Sequence, residues 1–358
     1  MGKNVNYNVE VNIDNNVLNY LYPNNNDMIS QMTNSDKLYM TYLIKQYYLE
    51  LRQKLNIISD ATFGLEIEFD NANMLLLEIM LQNVDESNNW ILKEDGSLPL
   101  GGEIVSPILK DDINSWIELE KICNVVSNYA YESDNAGSHI HIGMHILGNN
   151  PKYWRNFVLL WMTYENVIFR FLNGEYLSSR SGIEDQAKPV AKKLIDDLDR
   201  INDRTKMKNA FYLMKVLDSG NSYKERRKRS VNFTNISDIE PYKYNIVGEK
   251  NTIEFRSPNC TFNPIIWQNN VNFLVKLFEY AKNDNFNEDI VNRRLCQNIN
   301  SDIPSNLRKY SYIYTDQAIE LADLIFSNNL DKIYFLRQYF KDGAVSTKPF
   351  TKTHTFTK

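Results

Sequence analysis

The sequence predicts a mixed fold in which helices pack on a sheet, and three observations lead there. From Thr62 onward, short β-like runs alternate with longer runs of helical period. Hydrophobic residues make up 43% of the 358 positions, enough for the core of one large domain or two modest ones. Three of the β-like runs place ionisable residues two apart above an apolar opposite face, as a strand with one polar side does.

Taken in order, residues 1–35 are Asn-rich, and Pro23-Asn24-Asn25-Asn26-Asp27 is turn chemistry, so a peripheral arm is expected. Between Lys37 and Leu55, residues Leu38, Tyr42, Ile44, Tyr48, Leu49, Leu51 and Leu55 recur at roughly helical spacing and predict an amphipathic helix. Thr62–Asp70 reads as a strand and Met74–Val84 as a helix. Trp90–Lys93 and Glu103–Pro107 read as short strands, separated by Asp95-Gly96-Ser97 and Gly101-Gly102. A helix over Asp112–Tyr131 and a strand over Ser138–Ile146 follow. Trp154–Leu172 is apolar nearly all round, the pattern of a helix buried on more than one side.

Between Gly174 and Asn251 the expectations are a loop near Ser178–Gly182, a helix around Val190–Ile201 and a charged run, Lys224 to Arg229, before a strand over Ser230–Thr234. Together these form a candidate lid. Thr252–Ser257 reads as a strand and Asn263–Ala281 as a helix, with Pro264 suited to its first turn. Helices over Thr315–Ser327 and Leu330–Phe340 precede a Thr/Lys-rich tail. No internal repeat or low-complexity linker marks a domain boundary.

With 40 Lys+Arg against 45 Asp+Glu, the net charge of −5 supplies no basic excess for phosphate-backbone binding, so nucleic acid is not expected as a partner. No apolar run is long enough for a membrane span and the first residues have no apolar signal core, so a cytoplasmic protein without a membrane partner is expected. Cys123, Cys260 and Cys296 are odd in number and far apart, which suggests neither a disulfide framework nor a Cys-based zinc site.

The chemistry concentrates in the polar-faced strands. Glu66 and Glu68 share one face of Gly64-Leu65-Glu66-Ile67-Glu68-Phe69, His139 and His141 one face of Ser138-His139-Ile140-His141-Ile142-Gly143, with His145 expected to continue that line, and Glu254 and Arg256 one face of Thr252-Ile253-Glu254-Phe255-Arg256. Each alone is an ordinary amphipathic strand. If the three are neighbours in a sheet, their faces assemble a field of carboxylates and imidazoles suited to Mg²⁺ or Mn²⁺, with an arginine suited to a phosphate oxygen. That is the composition of a metal–nucleotide site. The segment Lys93 to Leu98 followed by Gly101-Gly102-Glu103 adds glycines that permit close backbone approach to a ligand, and Glu103 adds another oxygen donor.

These blocks resemble the amidoligases of the glutamine synthetase and glutamate–cysteine ligase superfamily. The resemblance covers Thr62 to Ala281 and rests on GLEIEF, EDGSL with GGEIVSP, AGSHIHIG, Tyr176–Pro189 with Arg180, Arg229-Ser230-Val231-Asn232, and NTIEFRSPNCTFN with Trp267 after it, in the family's order. It implies an α+β fold: a curved, mainly antiparallel glutamine synthetase-like sheet with the active site on its concave face and helices packed outside. It divides the chain into an arm and helix over 1–60, a catalytic domain over 61–283 and a helical extension over 284–358. It also implies an ATP site with two or more Mg²⁺ or Mn²⁺ ions.

By the same resemblance, Glu66, Glu68, Glu103, His139 and Glu254 look like metal ligands, and Arg256 like the residue that steadies the ATP phosphates. His141 looks like a nucleotide or substrate contact, and Asp95 like a group that orients or deprotonates the incoming amine, a structural turn being the other reading. Arg180, Arg229 and Asn232 match family positions that contact phosphate or a substrate carboxylate, whereas Arg226, Arg227 and Lys228 match none. Asn259, Thr261 and Asn263 follow the family's pattern after the Glu-Phe-Arg strand, as residues that shape the loop before the helix. The implied reaction phosphorylates a carboxylate with ATP and then aminates the acyl phosphate; the partners are an amine and a carboxylate borne by an amino acid, a peptide or a protein side chain.

Three other readings compete: a guanidino-kinase-like phosphotransferase on a related fold, a catalytically decayed metal- or nucleotide-binding module, and an oxygenase or isomerase built on His139, His141, His145 and a glutamate. The last leaves the Glu-Ile-Glu and Glu-Phe-Arg strands unexplained.

Overall fold

The side chains of Thr62–Phe69 (β1) alternate as a strand requires, with Phe63, Leu65, Ile67 and Phe69 each at most 2% exposed and the intervening positions turned the other way. Around this strand the chain builds a seven-stranded sheet. In the computed structural model, which describes residues 44–45, 47, 49–85, 89–98, 100–133, 135–172, 186–190, 198, 201, 228–236, 250–299 and 314–340, the other strands are β2 (Ile91–Glu94), β3 (Gly102–Val105), β4 (Leu109–Lys110), β5 (Ser138–Gly143), β6 (Val231–Asn232) and β7 (Thr252–Phe255). Their order is β2-β3-β1-β5-β7-β6, with β4 also paired to β1, and every pairing is antiparallel. With seven α-helices among the described residues, the fold is α+β.

The helices are α1 (Met74–Gln82), α2 (Ile113–Tyr129), α3 (Pro151–Leu172), α4 (Pro264–Ala281), α5 (Glu288–Ile299), α6 (Thr315–Ile325) and α7 (Asn329–Phe340). The apolar sheet face is covered by α2, α3 and α4: Trp116 stacks on Phe63 with ring centroids 5.1 Å apart, Trp161 lies 5.3 Å from Phe255, and Phe157 meets Phe278 edge-on at 4.7 Å. Each such buried side chain contributes roughly 1.5–3 kcal/mol relative to exposure. Asn263 caps α4 by accepting from Ile265 N, and Pro264 occupies its first turn, where no backbone donor is missed.

The strands and helices expected from Thr62 to Ala281 appear within one to three residues of their expected ends wherever the residues are described. Three differences have physical reasons. First, the helix expected over Lys37–Leu55 does not reach Leu55. Leu49, Leu51 and Leu55 are buried as its apolar face required, but residues 49–55 are non-helical. Their backbone donors go to distant side chains instead: Glu50 N to Tyr334 Oη at 3.0 Å, Arg52 N to Gln268 Oε1 at 2.8 Å and Leu55 N to Asp111 Oδ1 at 2.9 Å. A strap held by side chains replaces the intrahelical ladder.

Second, the strand carrying the histidines ends at Gly143 and turns into a 3-10 segment, Met144–Ile146, so His145 leaves the line of His139 and His141. A Cβ on Gly143 would come within 2.5 Å of both the His145 ring and Thr62 Oγ1, so any larger residue here would have to displace those side chains. Third, α5 was not expected; its sequence, Glu288 to Ile299, is polar on balance, with few apolar residues to mark a buried face. The loop near Ser178–Gly182, most of the helix around Val190–Ile201, residues 224–227 of the charged run and the arm over 1–35 lie outside the described residues.

Candidate functional site

Strand register decides which polar side chains meet. Glu66 pairs with His139 across β1 and β5, His141 with Glu254 across β5 and β7, and Asn232 with Glu254 across β6 and β7; on the other side Glu68 pairs with Glu103, which pairs with Lys93. Residues directly opposite in an antiparallel pair project to the same face, so these side chains occupy one surface while the core occupies the other.

At the centre, Glu66 accepts from two imidazoles: His139 Nδ1 is 2.9 Å from Oε2 and His141 Nε2 is 2.9 Å from Oε1. His139 also lies 3.3 Å from Glu68 Oε1 through Nε2 and 3.9 Å from Glu254 Oε1 through Nδ1. Its Nε2 is buried and makes no hydrogen bond in that geometry. Glu254 accepts from Asn232 Nδ2 at 2.7 Å and Asn235 Nδ2 at 3.1 Å, and its other oxygen pairs with Arg256 Nη1. Glu68 accepts from the backbone N–H of Gly137. Arg256 additionally donates from Nε to Gln186 O at 3.3 Å.

Burial alone would raise the Glu66 carboxyl, but the hydrogen bonds and charges of His139 and His141 outweigh it and hold Glu66 well below the usual carboxylate range. Burial likewise acts to raise Glu254, and the charges of His139, Arg256 and His141 bring it down to about 2. Glu103 shifts the other way, raised by burial and by the Glu66 charge, with Lys93 only partly opposing. Glu66, His141 and Glu254 each present one ligand atom within 4.8 Å of the others. Two carboxylates and an imidazole at that separation can hold a divalent cation.

Beside this cluster, towards the Thr62 end of β1, lies a groove of about 470 Å³. Its floor is made of small site-face residues, Thr62, Gly64, Gly143 and Thr252; Pro107, Ile108, Lys250 and Asn251 also line it, as do Glu66 and His141 of the cluster. Lys250 Nζ stands 3.3 Å from Glu66 Oε1, and Thr252 Oγ1 is 3.1 Å from His141 Nδ1.

The structure therefore brings together Glu66, Glu68, Glu103, His139, His141, Asn232, Glu254 and Arg256. Asp95 sits on the turn after β2, where Oδ1 accepts from Ser97 N at 2.8 Å and Ser97 Oγ at 2.9 Å; its charge reaches Glu103 electrostatically. Arg229 donates from Nη1 to Pro189 O at 3.3 Å, and burial lowers its pKa against the opposing charge of Glu165. Arg180 lies outside the described residues. The glycines at 101 and 102 serve an approach of chain to chain: an added Cβ would come within 2.1 Å of Phe69 O and 2.4 Å of Lys93 O respectively. His145 binds Asp60 O through Nε2 at 2.8 Å and lines the groove. Lys250 and Asn235 carried no motif signal, and Thr252, though inside the Glu-Phe-Arg block, was given no role; the pairing of β7 with β5 and β6 reveals their places.

A family model described as "Putative amidoligase enzyme" matches residues 83–278, more than half of the chain. The chain belongs to this family. An amidoligase joins a carboxylate to an amine, so ligase-type chemistry on those two groups is what membership assigns. The matched stretch holds Glu103, His139, His141, Asn232, Glu254 and Arg256 but begins after β1. Glu66 and Glu68 join these residues through geometry, because β1 is hydrogen-bonded between β3 and β5, both inside the match. A search of curated proteins returned no match.

Proposed function

We propose that this protein is an ATP-dependent carboxylate–amine ligase that works through an acyl phosphate on the polar face of the sheet, which we take as the concave face of a glutamine synthetase-like sheet. The observation that carries the proposal is the single surface on which Glu66, Glu68, His139, His141, Glu254 and Arg256 converge in a chain of the amidoligase family. The donor set fits Mg²⁺ or Mn²⁺: oxygen-rich, with one or two imidazoles, and including a buried imidazole nitrogen that makes no protein hydrogen bond. Glu66, His141 and Glu254 would hold one ion, and Glu68, Glu103 and His139 a second. Such ions supply positive charge to phosphate oxygens.

In this reading the groove receives the base and ribose, since its floor of small residues leaves room for a flat ring. The phosphates then run over Glu66 and His141 towards Arg256, which is displaced from the groove along the strands and would share its guanidinium between Glu254 and a phosphate oxygen. A carboxylate oxygen of the substrate attacks the γ-phosphorus, the bond to the β–γ bridging oxygen breaks, and ADP departs. The amine nitrogen attacks the acyl carbon and loses a proton, and the bond from that carbon to the phosphate oxygen breaks. Arg256 balances charge on the transferring group, Asn232 and Asn235 hold Glu254 in place, and Asp95 orients the amine. Residues 61–283 form the catalytic unit, which 1–60 and 284–358 complete.

The test is release of ADP and phosphate from MgATP, with and without pooled amino acids and short peptides, in the wild type and in Glu254→Gln. Release stimulated by the pool, accompanied by a new amide mass and lost in the variant, is the expected result. Equal release by a folded Glu254→Gln protein would contradict the assignment.

A further inference from the structure

Among the described residues, Lys250 is a cation beside Glu66 to which no family motif and no strand pattern pointed. Its ammonium is 3.3 Å from Glu66 Oε1, the same oxygen that His141 Nε2 meets at 2.9 Å. The Lys250 side chain is 58% exposed, against 12% for Glu66, so a solvated cation caps a largely enclosed anion. It also lines the groove. Lys250 immediately precedes Asn251, whose backbone is in the left-handed region at φ 48° and whose N–H is fixed to Asn235 O at 3.0 Å, so the root of the lysine is held while its four-carbon stem is free to swing.

We infer that Lys250 is an exchange cation that couples metal binding to nucleotide binding. This rests on the proposed metal–nucleotide reading of the site. Without a metal, the ammonium neutralises Glu66. A divalent ion held by Glu66, His141 and Glu254 would bind the same carboxylate, and two cations on one carboxylate repel. The ammonium then leaves Glu66. The groove it lines is where the nucleotide enters, and the phosphates that pass over Glu66 offer the displaced ammonium an anion within reach of its stem. Metal alone must expel Lys250 into water, whereas metal with nucleotide gives it a phosphate. Each ligand therefore favours the other, and the coupling is reciprocal.

The test compares the wild type with Lys250→Met, which retains an apolar stem at an exposed position. Calorimetric titration is done with MnCl₂ alone, and then with ATP in the presence of saturating Mn²⁺. The variant is expected to bind Mn²⁺ alone more tightly and ATP–Mn²⁺ more weakly, each by on the order of tenfold. Effects of opposite sign separate exchange from a structural role, which would weaken both. Unchanged affinities, or a loss of both, overturn the proposal while leaving the ligase reading in place. A wild type that binds neither Mn²⁺ nor ATP overturns both.

Discussion

Glu254 answers to two opposing demands. Burial disfavours its charge, yet His139, Arg256 and His141 hold it ionised, with its pKa at about 2, and two asparagine amides fix one of its oxygens. Arg256 shares the other oxygen while remaining positioned to meet a phosphate. A planar, two-pronged donor can serve a carboxylate and a phosphate together; a lysine ammonium is a single point charge. Arg256→Lys is therefore expected to lower kcat/KM for ATP turnover by on the order of 10²-fold, with little change in thermal stability. A full-rate lysine variant would mean that Arg256 only completes an ion pair with Glu254. At this scale the sequence was informative wherever chemistry repeats every second residue, as in Glu66/Glu68, His139/His141 and Glu254/Arg256. It was silent on Lys250 and Asn235, which belong to no such pair and are defined by what strands from elsewhere bring beside them.

Among the elements, β1 is the pivot: its odd-numbered side chains form core and its even-numbered ones form site, so pairing with β3 and β5 sets both at once. That duality was legible because a strand alternates. The Leu49–Leu55 strap was not, because its apolar residues fit helical spacing while its backbone partners lie as far as 284 positions away in sequence. The strap is pinned by Arg52, which is 7% exposed, pairs with Asp331 at 2.5 Å and stacks over the Tyr334 ring at 4.5 Å; Asn272 also donates to Asp331 at 2.8 Å. Removing one partner leaves a buried charge uncompensated. Arg52→Met is expected to cost about 3–5 kcal/mol in chemical denaturation, and a loss below about 1 kcal/mol would show that the pair contributes little beyond solvent-exposed ion pairs.

Helix α2 offers a pH test. Burial raises the Glu120 carboxyl to about 7, above its ordinary value of 4.5. Because the folded state favours the protonated form, the associated stability is fully present below pH 4.5 and is lost as pH rises through about 7. Glu120→Gln removes that dependence, so the variant is expected to melt higher than the wild type at pH 8 and alike at pH 4.5. Equal melting temperatures at pH 8 would show that Glu120 is fully solvated.

At the scale of the whole molecule, the antiparallel sheet separates a hydrocarbon face, sealed by α2, α3 and α4, from a face crowded with charge. No helix among the described residues is long and apolar enough to cross a membrane. Several buried polar side chains cross-link the core: Gln268 bonds Arg52 O at 2.7 Å, Asn269 bonds Tyr334 O at 3.0 Å, and Gln338 bonds Phe171 O at 2.9 Å. These bonds tie the strap and α7 to α4 and α3, so the segments flanking the site strands in sequence are integral to the body that supports them. Sequence patterning could not show this, since each of those side chains reads as surface until its distant partner is known.

The central claim is that a substrate carboxylate attacks ATP, and oxygen transfer tests it most directly. Pooled amino acids and short peptides, their carboxylates exchanged into ¹⁸O, are incubated with the protein, MgATP and ammonia or an amine, and the released phosphate is analysed by mass. An acyl-phosphate route leaves one carboxylate oxygen on phosphorus, so phosphate carrying a single ¹⁸O is the predicted result. Amide formed with phosphate free of ¹⁸O would contradict the account.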